Sequence, residues 1–363
     1  MNRAPSSVET TSMHPAFTRP EPFVLRSASG LWVELLPHGG VRRMGCGDDV
    51  ISLFVGQVCE SPLNHLWLRV HPQPLAHSEA GAQTPTLQPL LGPGSQGRWV
   101  WSSPTRARFE GHNGADLQWQ VELHLSDEVP TWFWHVRLHH CGSQRQQRQV
   151  ELLHVQDVAL CSYAAVRLNE YYVSQYIDFT PLPHAQHGPV LAARQNQPVA
   201  GRHPWMVVGS LRRATAWSTD ALQSHGWAAR GAKPPQGLLT GLPGQRLQHE
   251  HACIALQDTA WMLQPGDTVA GGFFGSYVPH HEGASGPTDL QVVDAALRHQ
   301  PLTEPWPARG NAPPWESSWE SSWKPCVDSL FVTAPWLATL PLEDSALNDL
   351  FGTARAHVEH GPD

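Results

Sequence analysis

Charge is scarce in this sequence. Asp, Glu, Lys and Arg make up 15% of its 363 residues, and the balance is negative, at −8. A chain short of cations has no electrostatic footprint for a phosphate backbone, so no nucleic-acid partner is expected. Long apolar runs are missing too. None approaches the roughly 18 residues of a spanning helix, so no membrane partner is expected either. Cysteines are few and scattered (Cys46, Cys59, Cys141, Cys161, Cys253, Cys326), with no CxxC pair. That spacing offers no thiolate zinc site and reads as buried, reduced thiols of a cytoplasmic protein. There is no GxSxG elbow and no P-loop, which argues against serine hydrolysis and nucleotide chemistry. Residues 1–21 lack the apolar centre of a secretory signal and, rich in Ser, Thr and Pro, read as a disordered arm.

What the chain has in plenty is turn residues, with 30 glycines and 33 prolines. Between the turns, apolar residues recur at every second position. Leu31, Val33 and Leu35 alternate with Trp32, Glu34 and Leu36. Leu117, Trp119, Val121, Leu123 and Leu125 form a strict row opposite Gln118, Gln120, Glu122 and His124, and Trp132, Trp134, Val136 and Leu138 resume it after Pro130. Such rows predict antiparallel strands with one face buried and one wet, and strands without interleaved helices predict an all-β sandwich. We assign residues 22–300 to that domain. Within it, residues 72–97 read as a Pro/Gly/Gln loop. Residues 301–340 form a Pro/Trp-rich linker. Residues 341–363 hold the one convincing helix, with Leu347, Leu350, Phe351, Ala354 and Val358 on a single stripe.

Tyrosine is rare, yet three of only five fall between Asn169 and Asp178. Aromatic rings interleaved with amide and carboxylate groups suit a sugar, whose C–H face stacks on the rings while hydroxyls meet the polar groups. The candidates for carbohydrate binding are Tyr171, Tyr172, Gln175, Tyr176 and Asp178, with His203 and Trp205 from the nearby Gly201 to Trp205 segment. The plainer reading of the decapeptide is a strand with aromatics on both faces. Histidine is common, at 22. His249 and His251 would share one face of a strand around Glu250, and His280-His281-Glu282 is a second imidazole–carboxylate group. Neither has an identifiable third ligand, so no metal is assigned.

The segments Gly30 to Glu34, Asp49 to Phe54, Trp132 to Trp134, Gln156-Asp157, Asn169 to Asp178, His203 to Trp205 and Gly272 to Tyr277 together resemble the N-terminal region of glycoside hydrolase family 94. Within that family they are most similar to the 1,2-β-oligoglucan phosphorylases. The resemblance implies a β-supersandwich of the galactose mutarotase-like kind, followed by linker helices and an (α/α)6 barrel. It also implies a parent reaction, phosphorolysis of β-glucan to α-glucose 1-phosphate, with inorganic phosphate as co-substrate and no other cofactor. The general acid and the phosphate ligands of that family belong to the barrel, and only eleven residues follow Gly352 here. The expectation is therefore a carbohydrate-binding and assembly domain, inactive alone and carrying no catalytic residue. Its expected partners are a β-glucan oligosaccharide and either a second copy or a separately encoded barrel, docked on Leu347, Leu350 and Phe351. The alternative is an autonomous mutarotase- or epimerase-like enzyme using His203, His249, Glu250, His251 and Glu282 as acid–base groups on a small sugar.

Overall fold

The computed structural model describes residues 22–56, 65–72, 84–114, 116–142, 147–225, 235–247 and 251–301. By packing, the chain divides into Met1–Glu320 and Ser321–Asp363, and every described residue belongs to the first unit. The predicted arm, the linker beyond Pro301 and the stripe of Leu347, Leu350 and Phe351 lie outside the described residues.

The alternating rows become strands, and among the described residues every strand pairing is antiparallel. The first sheet runs β1 (Phe23–Arg26), β2 (Leu31–Leu35), β3 (Val41–Cys46), β4 (Asp49–Val50), β12 (Cys161–Ser162). The second has eight strands: β13 (Ile177–His184), β14 (Gly188–Gln195), β15 (Trp205–Ser210), β19 (Thr268–Val278), β10 (Thr131–His140), β9 (Leu117–Leu125), β8 (Arg106–Asn113), β7 (Arg98–Ser102). The third runs β16 (Ala214–Asp220), β17 (Ala252–Asp258), β11 (Arg148–Asp157), β5 (His65–Val70), β6 (Thr86–Pro89), with β18 (Trp261–Leu263) also on β11. Strand accounts for 51% of the structure and helix for 13%, so the fold is all-β, as the pattern predicts.

The main core lies between the second and third sheets. Trp119, Val121, Leu123, Trp132, Trp134 and Val136 cluster there with Leu66, Leu68, Val150, Leu152, Ile254 and Leu256. Every second residue of β9, from Leu117 to Leu125, enters this layer, which is the physical content of the sequence period. Close approach is built in: a Cβ at Gly275 would stand 2.1 Å from the Trp132 ring.

The expectation of one wet face needs correction. Phe133, between Trp132 and Trp134, is also fully buried, because helix α5 (Leu290–Leu297) lies on the outer side of the second sheet. There Phe133, Leu182, Val190, Trp205 and Phe274 pack with Val293. The outer face of the third sheet is covered likewise. Trp67, Leu153, Val155 and Ala255 cluster with Ala221 and Leu238, from α3 (Ala221–His225) and α4 (Gln236–Thr240). Helices thus occur well before residue 341. The predicted loop at 72–97 also contains β6, paired with β5. Gly92, Gly94 and Gly97 stand at G-x-G-x-x-G spacing but turn the chain from β6 of one sheet to β7 of another. No helix starts there to cradle a phosphate.

Candidate functional site

The tyrosine segment is not a strand. It is a helical hairpin, α1 (Tyr163–Leu168) and α2 (Glu170–Gln175), and local chemistry explains why. Ser162 caps α1 by accepting from the Ala165 N–H, and Asn169 caps α2 through Oδ1, 3.0 Å from the Tyr172 N–H. Glu170 in the first turn complements the helix dipole. Val166 and Val173 are the buried side, packing with Leu53, Ala159 and Cys161. The tyrosines are the other side: Tyr163, Tyr171, Tyr172 and Tyr176 are 38%, 50%, 45% and 38% exposed. Four of the chain's five tyrosines therefore face solvent on one hairpin.

Tyr172 and Tyr176, one turn apart, meet edge to face with centroids 5.0 Å apart and hydroxyls 3.3 Å apart. The hydrogen bond that Tyr176 donates to the Tyr172 hydroxyl raises its own pKa above the ordinary value, so the Tyr176 phenol stays protonated at neutral pH. Gln175 is exposed beside them. The Tyr171 ring lies 6.3 Å from His251, which itself packs edge-on against Phe54 at 4.6 Å. The Tyr163 ring carries the Arg43 guanidinium at 4.8 Å.

The second candidate segment is brought to the same place, by a residue the sequence reading missed. Gln195 is 1% exposed, and its side-chain amide donates to the carbonyls of Ala159 and Val173, at 3.1 and 3.3 Å. Its own carbonyl meets Nδ1 of His203 at 3.0 Å, and its N–H donates to Pro204. One buried amide thus ties the underside of the hairpin to the His203 loop. Its only sequence signal was a glutamine closing a strand that is apolar up to Arg194. His203 is half-buried, with its backbone N–H donating to Nδ1 of His280.

Trp205 is a correction. It is fully buried, its indole donates to Ser285 at 2.9 Å, and the His281 ring stacks over it at 5.2 Å. It has no face to offer a ligand. Asp178 accepts from Arg246 at 2.6 Å, which makes it half of an ion pair. His203 and His251 have separate neighbours, and the Glu282 carbonyl, not its carboxylate, takes the Arg194 contact. His249 and Glu250 lie outside the described residues.

Behind the loop sits a buried polar knot. Asp49, 4% exposed, accepts from the Tyr277 hydroxyl at 2.6 Å and pairs with Arg202 at 2.9 Å. Burial and the Asp49 charge push the Cys46 and Cys161 thiols up to about 11 and about 12, so neither is a nucleophile at neutral pH. Cys161 and Cys253 are buried as expected, but Cys141 is exposed.

Residues 34–275 match the family model of the SOGP N-terminal domain. A 1,2-beta-oligoglucan phosphorylase of Listeria innocua is 27% identical over 249 residues, 68% of this chain and 21% of that protein. The chain therefore spans about a fifth of that relative's length. Among solved structures, a bacterial glucoamylase complexed with acarbose aligns with TM-score 0.42 at 7% identity, covering 77% of this chain and 34% of that one. A GalM/aldose epimerase homologue from C. elegans aligns with TM-score 0.39 at 9% identity, covering 72% and 99%. Likeness of that degree carries nothing about activity. No helix among the described residues is long and apolar enough to cross a membrane.

Proposed function

Because this chain belongs to the SOGP N-terminal domain family, we propose that it is a carbohydrate-recognition and assembly domain of a β-glucan phosphorylase-like protein. One observation carries the reading: four exposed tyrosines on a single capped hairpin. Rings held on short helices, with a buried side fixing their position, form a preorganised apolar surface. The phenol hydroxyls and the Gln175 amide supply donors and acceptors for sugar hydroxyls. His203 stands behind this surface, fixed by Gln195.

The parent reaction, phosphorolysis of β-glucan to α-glucose 1-phosphate with inorganic phosphate as co-substrate, belongs in this proposal to the longer assembly. No described residue is given a catalytic role. The part this chain plays is to hold a β-glucan oligosaccharide for a barrel domain.

The test is calorimetric titration of the chain with β-1,2-linked gluco-oligosaccharides, repeated on a Tyr172→Ala/Tyr176→Ala double variant. Each lost ring contact should weaken binding by roughly three- to tenfold. Unchanged affinity in the double variant, or no binding by the unmodified chain, would sink the proposal.

A further inference from the structure

Helix α5 covers only part of the outer face of the second sheet, and the register shows what lies beside it. Reading inward from edge strand β7, Trp101 pairs with Arg108, Arg108 with Glu122, Glu122 with His135, and His135 with Gly272. Five consecutive partners make one straight row across the strands. At about 4.8 Å per strand it is roughly 19 Å long. The outer end is open, since Trp101 is 41% exposed. At the inner end Gly272 has φ of +140° and no side chain, and a Cβ there would strike the Trp134 carbonyl at 1.8 Å. His135 is therefore the last side chain of the row, since Gly272 beyond it contributes none.

The groups along the row are polar, and Glu122 is shared between two arginines. Arg108 donates to Glu122 from Nε at 2.8 Å and from Nη2 at 2.5 Å. Arg106 stands 3.9 Å from the other carboxylate oxygen. His124, Phe133 and His135 stack with centroids 6.1 and 5.9 Å apart. Burial holds both imidazoles at about 4, so both are uncharged at neutral pH. Nδ1 of His124 and Nε2 of His135 are buried with no hydrogen-bond partner among the described residues, and His135 is only 9% exposed. A buried polar atom left unpaired costs on the order of 1–3 kcal/mol, which a folded protein retains where something else supplies the partner.

We propose that this row, from Trp101 through Arg108 and Glu122 to His135, is a second carbohydrate site that takes a short neutral oligosaccharide laid across the strands. An exposed indole provides the stacking face. Paired guanidinium and carboxylate groups donate to and accept from hydroxyls, each of which can do both. The free imidazole nitrogens meet hydroxyls at the inner end. The site rests on the register of the sheet and stands or falls separately from the tyrosine hairpin.

The experiment is titration of the full chain with di- to penta-saccharides of glucose, xylose and mannose, and with inorganic phosphate as an anion probe. It is run on the unmodified chain, Trp101→Ala, Glu122→Gln and the Tyr172→Ala/Tyr176→Ala double variant. We expect at least one neutral oligosaccharide whose affinity falls tenfold or more in Trp101→Ala and in Glu122→Gln but holds in the hairpin double variant. Trp101 is a surface residue, so the melting temperature of Trp101→Ala should stay where it was. If every oligosaccharide binds Trp101→Ala as it binds the unmodified chain, the inference is overturned. It is equally overturned if binding is lost only in the hairpin variant, or if phosphate alone binds.

Discussion

Asp157 ends β11 fully buried, with its carboxylate accepting from the Phe54 N–H at 2.7 Å and Cys253 opposite it across the ladder. Burial pushes this carboxyl up to about 7, against backbone hydrogen bonds that pull it down. Its unfolded value is near 3.8, so between about pH 4 and 7 the unfolded chain releases a proton that the folded chain keeps. The stability it contributes is complete below that window and lost as pH rises through 7. Asp157→Asn removes the effect. The unmodified chain minus the variant should lose roughly 1 kcal/mol of unfolding free energy per pH unit from 4 to 7. Urea titrations at three pH values in that window measure it, and parallel curves would count against it. His154 acts in the opposite sense, since burial lowers it to about 4: its contribution is present above 6.5 and lost as pH falls to 4. At this scale the sequence was partly legible. The scarcity of tyrosine located the hairpin surface, whereas burial of Trp205 depended on Ser285 and His281, some 80 residues away.

The α1–α2 hairpin shows what element-level patterns can hide. Its helices are six residues each, below the length at which helices hold by themselves, so they depend on caps and on Val166 and Val173. Asn169→Ala should remove about 1 kcal/mol from this hairpin alone. Hydrogen exchange should quicken over 170–176 while the melting temperature barely moves; a large drop in melting temperature would contradict a local role. The capping residues were readable in advance, since Ser162 and Asn169 each precede a helical turn, but interleaved aromatics mimic strand periodicity. Helix α5 carried a clearer signal. Pro287 opens the 3-10 turn that leads into it, and Leu290, Val293 and Leu297 repeat at helical spacing. The strands themselves were plain because a two-residue period over nine residues admits one reading.

Across the whole molecule, the sandwich was visible in the sequence and its outer helical layer was not. Alternation reports that a strand has a core face, but only three-dimensional neighbours decide whether the other face is wet. Val293, fully buried against the outer side of the second sheet, tests how much that layer contributes. Val293→Ala should cost about 2 kcal/mol, read as a lower urea midpoint with unchanged slope. A midpoint that does not move would mean that α5 is not part of the folded unit.

The knot of Asp49, Arg202 and Tyr277 has a consequence for how the chain is made. Its aspartate and tyrosine are 228 residues apart in sequence. At about 5–20 residues per second, a ribosome takes roughly ten to forty-five seconds to travel from one to the other. Through that interval β3 and β4 exist without the partner that closes over their carboxylate, and β10 waits for β19 in the same way. Synthesis therefore passes through a long stage of open strand edges, the stage at which a holdase chaperone or a slower codon run would most affect yield.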